Sequence, residues 1–216
     1  MPSIAHLFPP LGVEATCGPI RLGPITDDVL PDLMAIAQAG IHERERMPFA
    51  VPWTDTPAVD FARQFLTHHW GTRAGFTRER WSLNFAVHHE GTLVGSQAIS
   101  TQSYLITKTG ETGSWLGMPF QGRGIGTLMR QAICALMFDH LDAAEVTSGA
   151  YLDNPASLAV SRRVGYRPNG ELRQERRPGE LAVNQQLALS PQDFVRPSEP
   201  VQVQGIPAFR AFVGLD

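Results

Sequence analysis

The sequence predicts an α/β (α+β) domain built on a mixed, mostly antiparallel central sheet of about six to seven strands with flanking helices. Residues 81–118 repeat apolar side chains with a period of two, which is typical of strands with one buried face. From residue 121 onward, helical and strand-like segments alternate. This order of segments fits a mixed sheet better than a helix bundle or a β-sandwich.

The composition limits the classes of function. The chain has 216 residues, of which 43% are hydrophobic and 18% are charged, and its formal net charge is −3. Such a balance gives no basic field that would hold nucleic acid or a membrane surface. The two cysteines, Cys17 and Cys134, are far apart, and the first residues lack a signal-peptide pattern. We therefore expect a cytoplasmic protein without a nucleic-acid or membrane partner.

The first third of the chain combines short elements with loops. Prolines and a glycine interrupt the apolar residues of 1–17, which predicts an irregular arm. A short strand at 20–22 precedes a helix that is capped near Thr26 and ends at Gly40. Residues 41–57 combine aromatic side chains with prolines and predict a rigid loop. A second helix is predicted over 58–70.

The middle of the chain predicts an antiparallel meander. Strands at 81–88 and 92–101 are joined by a turn at Glu90 and Gly91, and a third strand covers 112–118.

The second half alternates helices and strands. It predicts a helix at 127–140, a strand at 145–151, a helix at 155–164 closed by Gly165, and a hairpin of strands at 166–176 and 181–189. The predicted organisation is an arm (1–17), a single domain (18–195) and a tail (196–216).

A glycine-rich stretch joins the third strand to the next helix. It consists of Gln121, Gly122, Arg123, Gly124, Ile125 and Gly126. Glycines let the backbone turn successive N–H groups inward, and the helix N-terminus that follows carries partial positive charge. The stretch predicts a site for anionic oxygens, with a turn that binds nothing as the alternative. Its spacing matches neither the dinucleotide-binding motif nor the P-loop.

A second polar feature opens the helix at 155–164. Asn154 suits the cap position and Pro155 the first helical position. Asn154, Ser157 and Ser161 also share one face, because they are spaced i, i+3 and i+7. This polar face predicts either a simple helix cap or one wall of a ligand site.

The order of these segments resembles the GNAT acyl-CoA N-acyltransferase superfamily, and most closely its RimJ/RimL-like branch. The residues that carry the resemblance are Gln121, Gly124, Gly126, Asn154, Ser157, Gly165 and Tyr166. The resemblance covers residues 20–189 and is sharp over 112–173. It implies the GNAT fold, in which acyl-CoA lies in a cleft between two splayed parallel strands, here 112–118 and 145–151.

The resemblance implies direct attack of a primary amine on the thioester of acyl-CoA, acetyl-CoA being ranked before succinyl-CoA. A backbone N–H near Met118 would stabilise the oxyanion. The implied cofactor-binding residues are Leu116, Gly117, Met118, Gln121, Gly122, Arg123, Gly124, Ile125, Gly126, Thr127, Asn154 and Ser157.

Two positions depart from the family pattern. Many members have a tyrosine that protonates the leaving thiolate where this chain has Ser161, so Ser157, or a water that it holds, becomes the candidate. Asn169 stands where the branch usually has a glutamate, which leaves the general base open. Glu175 is the candidate base. The alternatives are Glu111, Asp153 and Glu180.

The loop at 41–57 is predicted to bind the acceptor, which would be a small-molecule amine or a peptide N-terminus. Its candidate substrate-binding residues are His42, Glu43, Phe49 and Trp53. We expect no metal site, because the adjacent histidine pairs lack ligand spacing. The apolar residues of the two tails favour a homo-oligomer.

The leading hypothesis is therefore an acyl-CoA-dependent N-acyltransferase. The alternative is a non-catalytic acyl-CoA-binding or sensor module, which the missing tyrosine and the open base would favour. A structural protein whose glycine loop binds no ligand is the third hypothesis.

Overall fold

The computed structural model describes residues 2–215, whose strands form one mixed sheet of nine strands. These strands are β1 (Glu14–Cys17), β2 (Ile20–Pro24), β3 (Arg80–His89), β4 (Thr92–Gln102), β5 (Thr109–Leu116), β6 (Glu145–Tyr151), β7 (Arg167–Arg177), β8 (Glu180–Leu189) and β9 (Gln202–Gln204). Across the sheet their order is β7-β8-β6-β5-β4-β3-β2-β1-β9. Only β5 and β6 pair in parallel, which confirms the predicted fold class.

Helices cover both faces of this sheet. They are α1 (Ile4–Leu7), α2 (Leu30–Ala39), α3 (Ala58–Ala74), α4 (Tyr104–Thr107), α5 (Ile125–Ala135), α6 (Pro155–Val164) and α7 (Ile206–Val213). A π-helical turn at Leu136–His140 continues α5. The bounds of α6 and β6 are those that the sequence predicted.

The strand β3 separates the two hydrophobic cores. Leu83, Phe85 and Val87 are buried in the cluster that contains α5, as the period of two predicted. Ala86 points to the opposite face and packs with residues of α2 and α3. Because neighbouring side chains of a strand point to opposite faces, α5 covers one face of the sheet and α2 with α3 the other. The helix α6 packs beside α5.

The predicted number of six to seven strands is wrong, because both terminal segments contribute a strand. In register, Ala15 of β1 lies opposite Val203 of β9, and Ala15 also lies opposite Leu22 of β2. The predicted irregular arm is also wrong, since α1, a 3-10 turn at Pro9–Gly12 and β1 follow one another there. Strands of three or four residues contain too few alternating side chains for a period of two to be recognised. In addition, β1 pairs with β9, which lies almost the whole chain away in sequence.

Residues 2–215 contain no helix that is both long and apolar enough to cross a membrane.

The stability of the fold is expected to fall in mild acid because of a buried histidine on α3. His69 is 8% exposed, its ring lies 4.8 Å from that of Phe65, and burial lowers its pKa to about 4. In the unfolded chain the His69 imidazole therefore becomes protonated near pH 6.5, whereas in the folded chain it stays neutral down to about pH 4. Stability present above pH 6.5 is lost as the pH falls toward 4, by about 2 kcal/mol at pH 4.5.

Urea unfolding at pH 7 and pH 4.5 measures this loss. The variant His69→Leu is expected to lose about 2 kcal/mol less than the wild type over the same interval. His68, whose pKa burial also lowers, remains in both proteins, so the comparison measures His69 together with its repulsion from His68. Equal losses in the two proteins would contradict the assignment to His69.

Candidate active site

A gap opens in the sheet where β5 and β6 separate. The two strands pair only from Thr109 opposite Glu145 to Glu111 opposite Thr147. Beyond these pairs β5 continues along β4 to Leu116, while β6 continues along β8 to Tyr151. The strands therefore splay apart at their carboxyl ends, where the resemblance predicted a cleft.

Backbone groups at the end of β5 face this gap. The Gly117 N–H donates to Val94 O at 2.9 Å, so the backbone groups of Gly117 and Trp115 point toward β4. By the alternation of an antiparallel pair, those of Leu116 and Ser114 point toward the gap. The Leu116 carbonyl accepts a bond from Gln121 Nε2 at 2.8 Å. The Leu116 N–H is thus left as a donor that faces the gap.

The glycine-rich stretch forms an open cradle of backbone donors beside the gap. Gly122 and Gly124 take left-handed φ values of 73° and 82°, and Gly124 is the residue that precedes the first turn of α5. Within residues 2–215, the N–H groups of 122–126 donate to no other group. A Cβ atom added at Gly122 or Gly124 would meet nothing within 4 Å. Free N–H groups at a helix N-terminus fit an anionic ligand.

The side chains of this stretch differ in their surroundings. Gln121 donates to Ile41 O and Leu116 O, both at 2.8 Å, and so ties the segment after α2 to the end of β5. Arg123 is exposed and makes no ion pair within the described residues. The contact of Arg123 with a cofactor stays a prediction.

The predicted oxyanion donor is engaged in this structure. The Met118 N–H donates to Gly40 O at 3.0 Å, just beyond the end of α2. Its predicted role would require this hydrogen bond to break. The Leu116 N–H, two residues earlier, faces the gap and has no such partner in the described part of the chain.

The middle of α6 packs against the first turn of α5, next to the cradle. A Cβ at Gly126 would lie 3.5 Å from Val160 Cγ2 and 3.8 Å from Leu116 Cδ1, so α6, the start of α5 and the end of β5 meet there. Asn154 Oδ1 accepts from the Ser157 N–H at 3.1 Å and caps α6. Ser161 is fully buried, and its hydroxyl has no hydrogen-bond partner in the described chain.

The candidate bases lie in different surroundings. Glu175 accepts from the Gly179 N–H at 2.6 Å and stabilises the turn between β7 and β8. Asp153 and Glu180 both pair with Arg176. Glu111 is exposed on β5, and its carboxylate has no partner within residues 2–215.

Arg176 was missed by the sequence analysis and holds the loop 41–57 in place. Its side chain is 9% exposed, donates to Asp153 at 2.8 Å and to Met47 O at 3.3 Å, and lies 4.9 Å from the centre of the Tyr151 ring. Arg177 adds a bond of 2.7 Å to Asp55. The β7–β8 hairpin therefore fastens the loop 41–57 beside the carboxyl end of β6.

Three of the four predicted acceptor residues form one aromatic cluster. The ring of His42 lies 5.7 Å from Phe49, which lies 5.3 Å from Trp53, and Trp53 lies 6.0 Å from Trp115 on β5. His42 Nδ1 donates to Glu43 O at 2.8 Å, and its Nε2 bonds the Thr54 hydroxyl at 2.7 Å. The cluster thus extends from the loop to the strand that borders the gap.

An open trough of about 850 Å³ lies on the same face of the sheet as α3. Its floor includes Ser100, Glu111 and Thr147, and α3 forms a wall with Thr67 and His68. The sequence analysis did not find it, because its lining comes from strands that are distant in the chain.

Residues 20–167 match the family model described as Acetyltransferase (GNAT) domain, which is more than half of the chain. The chain belongs to the GNAT acetyltransferase family. It is therefore an acyl-CoA-dependent N-acyltransferase, and acyl-CoA is its co-substrate, as the resemblance implied.

Solved structures share the GNAT fold at low sequence identity. Mycobacterium smegmatis RimJ in complex with a CoA disulfide is 20% identical, with a TM-score of 0.70, and the match covers 85% of this chain and 88% of RimJ. A RimL ribosomal alpha-N-protein acetyltransferase in complex with coenzyme A is 19% identical, with a TM-score of 0.63 and coverage of 79% and 93%. A chimera of the spermidine N-acetyltransferase SpeG from Vibrio cholerae is 14% identical, with a TM-score of 0.61 and coverage of 81% and 96%.

In this GNAT chain the structure places Leu116 and the glycine-rich stretch 121–126 beside the gap and leaves Glu175 on the hairpin turn. The contacts of the predicted cofactor residues with CoA stay predictions. Among residues 2–215, no three His, Cys, Asp or Glu side chains are grouped so that they could hold a metal ion.

Proposed function

We propose that this GNAT chain transfers an acyl group from acyl-CoA to a primary amine, with the residues around the gap in the roles that follow. The observation that carries the proposal is the gap between β5 and β6, which opens beside five backbone N–H groups that have no partner within residues 2–215. The pyrophosphate binds the N–H groups of 122–126, Thr127 and Asn154 line the cofactor, and the pantetheine arm follows the gap. The thioester then lies beside Leu116 and Gly117.

The reaction needs few specialised side chains. The amine nitrogen attacks the thioester carbon, the C–N bond forms, and the C–S bond breaks with its electron pair on sulfur. The Leu116 N–H stabilises the oxyanion, an effect worth about 2.7–4 kcal/mol per donor in other enzymes. Ser157, or a water that it holds, gives a proton to the thiolate, and the proton that the amine loses as the amide forms returns to Ser157 through water. Alignment of the two reactants contributes about 7–11 kcal/mol.

The acceptor amine crosses the α3 face of the sheet and reaches the thioester through the gap. Positions 111, 113 and 115 alternate with the α5-facing residues of β5, so the side chains of Glu111 and Trp115 point to the α3 face and Gly113 is open to that face. Glu111 lines the trough and Trp115 contacts the aromatic cluster, so Gly113 lies between them. The unpaired Glu111 carboxylate attracts an ammonium group better than Glu175, which is bonded to the turn.

The acceptor is a small amine or a peptide N-terminus. An open polar trough with a carboxylate in its floor supports both acceptors. So do the solved structures named above, one a spermidine N-acetyltransferase chimera and one an alpha-N-protein acetyltransferase. His42, Glu43, Phe49 and Trp53 would form the border of this site nearest the thioester.

Replacing Gly113 by leucine is expected to raise the KM for the acceptor about tenfold or more and to leave CoA affinity unchanged. An added Cβ meets nothing within 4 Å, so the larger side chain would fit the fold and occupy the path of the amine. A loss of 1.4 kcal/mol in binding corresponds to this factor. Steady-state kinetics with varied acceptor measures it. Gly113→Ser is the control with a smaller side chain. An equal KM for the acceptor in the serine and leucine variants would contradict the proposal that the amine passes Gly113.

The proposed function is tested by measuring thiol release with acetyl-CoA or succinyl-CoA and a panel of amines and peptides, together with calorimetry of CoA binding. We expect CoA to bind and at least one pair to release thiol above background. Tight binding without turnover would instead support an acyl-CoA-binding module. The absence of any CoA binding would support a protein that uses its glycine loop only as a turn.

A homo-oligomer and a cytoplasmic location are also proposed. The structure weakens one argument for the homo-oligomer, because Phe209 and Val213 of the tail are fully buried within this chain. Ile4 and Leu7 of the arm are 64% and 63% exposed and remain available for a second copy. Sedimentation of the purified protein decides its oligomeric state.

A further inference from the structure

A buried arginine without a carboxylate partner lies beneath the gap. Arg130 of α5 is 4% exposed and donates to the hydroxyls of Ser114 and Ser148, each at 3.0 Å. Its Nε has no hydrogen-bond partner, and no carboxylate of residues 2–215 forms an ion pair with it. The positive charge also lies over the Tyr166 ring, whose centre is 5.9 Å from the guanidinium carbon.

The guanidinium lies where the two strands begin to separate. Ser114 belongs to β5 and Ser148 to β6, and the last paired residues of these strands are Glu111 and Thr147. Arg130 therefore bridges the closed end of the gap. Ser114 is two residues before Leu116, a distance of about 6.6 Å along the strand from the proposed thioester site.

Burying a cation without an anion is unfavourable. Charged groups in protein interiors are paired or coordinated, because desolvation costs several kcal/mol per ion and neutral dipoles recover only part of that cost. Two serines could be joined across the gap by a neutral side chain. A guanidinium with an unused N–H at the end of a substrate cleft indicates that the missing negative charge comes from the ligand.

We propose that Arg130 is a specificity residue that binds a carboxylate at the far end of the acyl group. The inference rests on the proposed function, and it names the donor class as a short dicarboxylic acyl-CoA such as succinyl-CoA, which the enzyme uses in addition to acetyl-CoA. Ser114 accepts from Arg130 and has its own O–H free to donate, so it is the second group that meets the carboxylate.

The reaction is the same transfer with a charged acyl chain. The amine nitrogen bonds to the thioester carbon, and the C–S bond breaks with its electron pair on sulfur. The nitrogen loses one proton, the thiolate gains one, and the distal carboxylate is unchanged. Of the substrate atoms, Arg130 contacts only this carboxylate, and it thereby orients the acyl chain.

Wild-type protein tests the inference first, with succinyl-CoA, butyryl-CoA and acetyl-CoA offered to one acceptor. Succinyl and butyryl groups have four carbons each and differ in the carboxylate. We expect a kcat/KM for succinyl-CoA at least about tenfold above that for butyryl-CoA, which corresponds to 1.4 kcal/mol. Calorimetry is expected to show the same order in affinity, and this readout does not depend on turnover.

Variants then assign the effect to Arg130. Arg130→Met is expected to lower the succinyl-to-acetyl ratio of kcat/KM at least about tenfold, and Ser114→Ala to lower it less. Arg162→Met is the control, because Arg162 is exposed on α6. The succinyl-to-acetyl ratio of kcat/KM in this variant should equal that of the wild type. If Arg130→Met does not fold, the succinyl-to-acetyl ratio of Ser114→Ala and the donor preference of the wild type still test the inference.

Butyryl-CoA used and bound as well as succinyl-CoA would overturn the inference and leave the proposed function intact. The inference would also be overturned if Arg130→Met lowered kcat/KM equally for succinyl-CoA and acetyl-CoA. An equal loss is expected of a residue that only stabilises the structure. If succinyl-CoA bound more tightly than butyryl-CoA but no donor transferred its acyl group, the catalytic function would be overturned and the carboxylate site supported. Failure of every acyl-CoA to bind would overturn both.

Discussion

Replacing Gly124 by leucine is expected to weaken CoA binding at least about 100-fold. Gly124 precedes the first turn of α5, and its Cβ position opens into the space beside the free N–H groups of 122–126. A leucine there would occupy the place of the pyrophosphate. Hydrogen bonds to a charged group are worth about 1.5–3 kcal/mol each, so the loss of two accounts for the expected factor.

The matched control is Gly91→Leu in the turn between β3 and β4. Gly91 has a φ of 80° against 82° for Gly124, and an added Cβ at Gly91 also meets nothing within 4 Å. Both variants therefore carry a similar left-handed strain of about 1–2 kcal/mol. Calorimetric titration with CoA should give a wild-type affinity for Gly91→Leu. Similar affinities in the two variants would show that the cradle is placed wrongly.

Local signals in the sequence were sufficient for the elements with dense patterns. The alternation of Leu83, Phe85 and Val87 predicted the buried face of β3, and Asn154 with Gly165 predicted both ends of α6. Such signals arise from neighbouring residues, through side-chain direction, capping and backbone conformation. The splayed strands followed from the resemblance, because a family pattern carries topology that spacing alone does not.

Features that depend on distant contacts were not accessible in the same way. Arg176 is followed by Arg177 on a charged hairpin, and no spacing distinguishes the one that is buried against Met47 from a solvated arginine. Arg130 lies within a helical pattern, and its lack of a carboxylate is visible only after β5, β6 and α5 are assembled. The engaged Met118 N–H likewise depends on the position of Gly40, which is remote in the chain.

Gly95 is a further position that the sequence analysis passed over, because a single glycine in a strand carries no motif. A Cβ added there would lie 2.2 Å from Trp115 O and 2.9 Å from Leu116 Cα. Both atoms belong to the backbone of β5, so rotation of a side chain cannot relieve the contact. The end of β5 must move away from β4.

Gly95→Ala is therefore expected to destabilise the fold by about 3 kcal/mol and to lower kcat more than CoA affinity. Forced insertion into a packed region costs about 1–3 kcal/mol and occasionally more. The displaced segment carries the Leu116 N–H, and a misplacement of about 1 Å can cost a factor of roughly 100 in rate. The cradle at 122–126 lies beyond this segment, so CoA affinity should change less.

Gly113→Ala on the neighbouring strand is the matched control, because its added Cβ meets nothing within 4 Å. Urea unfolding gives the stability of each variant, and single-turnover kinetics at saturating acyl-CoA gives the rate of the folded enzyme. A slow single turnover in Gly95→Ala at full CoA occupancy would separate misplacement of β5 from simple unfolding. If Gly95→Ala were as stable and as fast as Gly113→Ala, the end of β5 would tolerate displacement, and the Leu116 N–H could not be a fixed oxyanion donor.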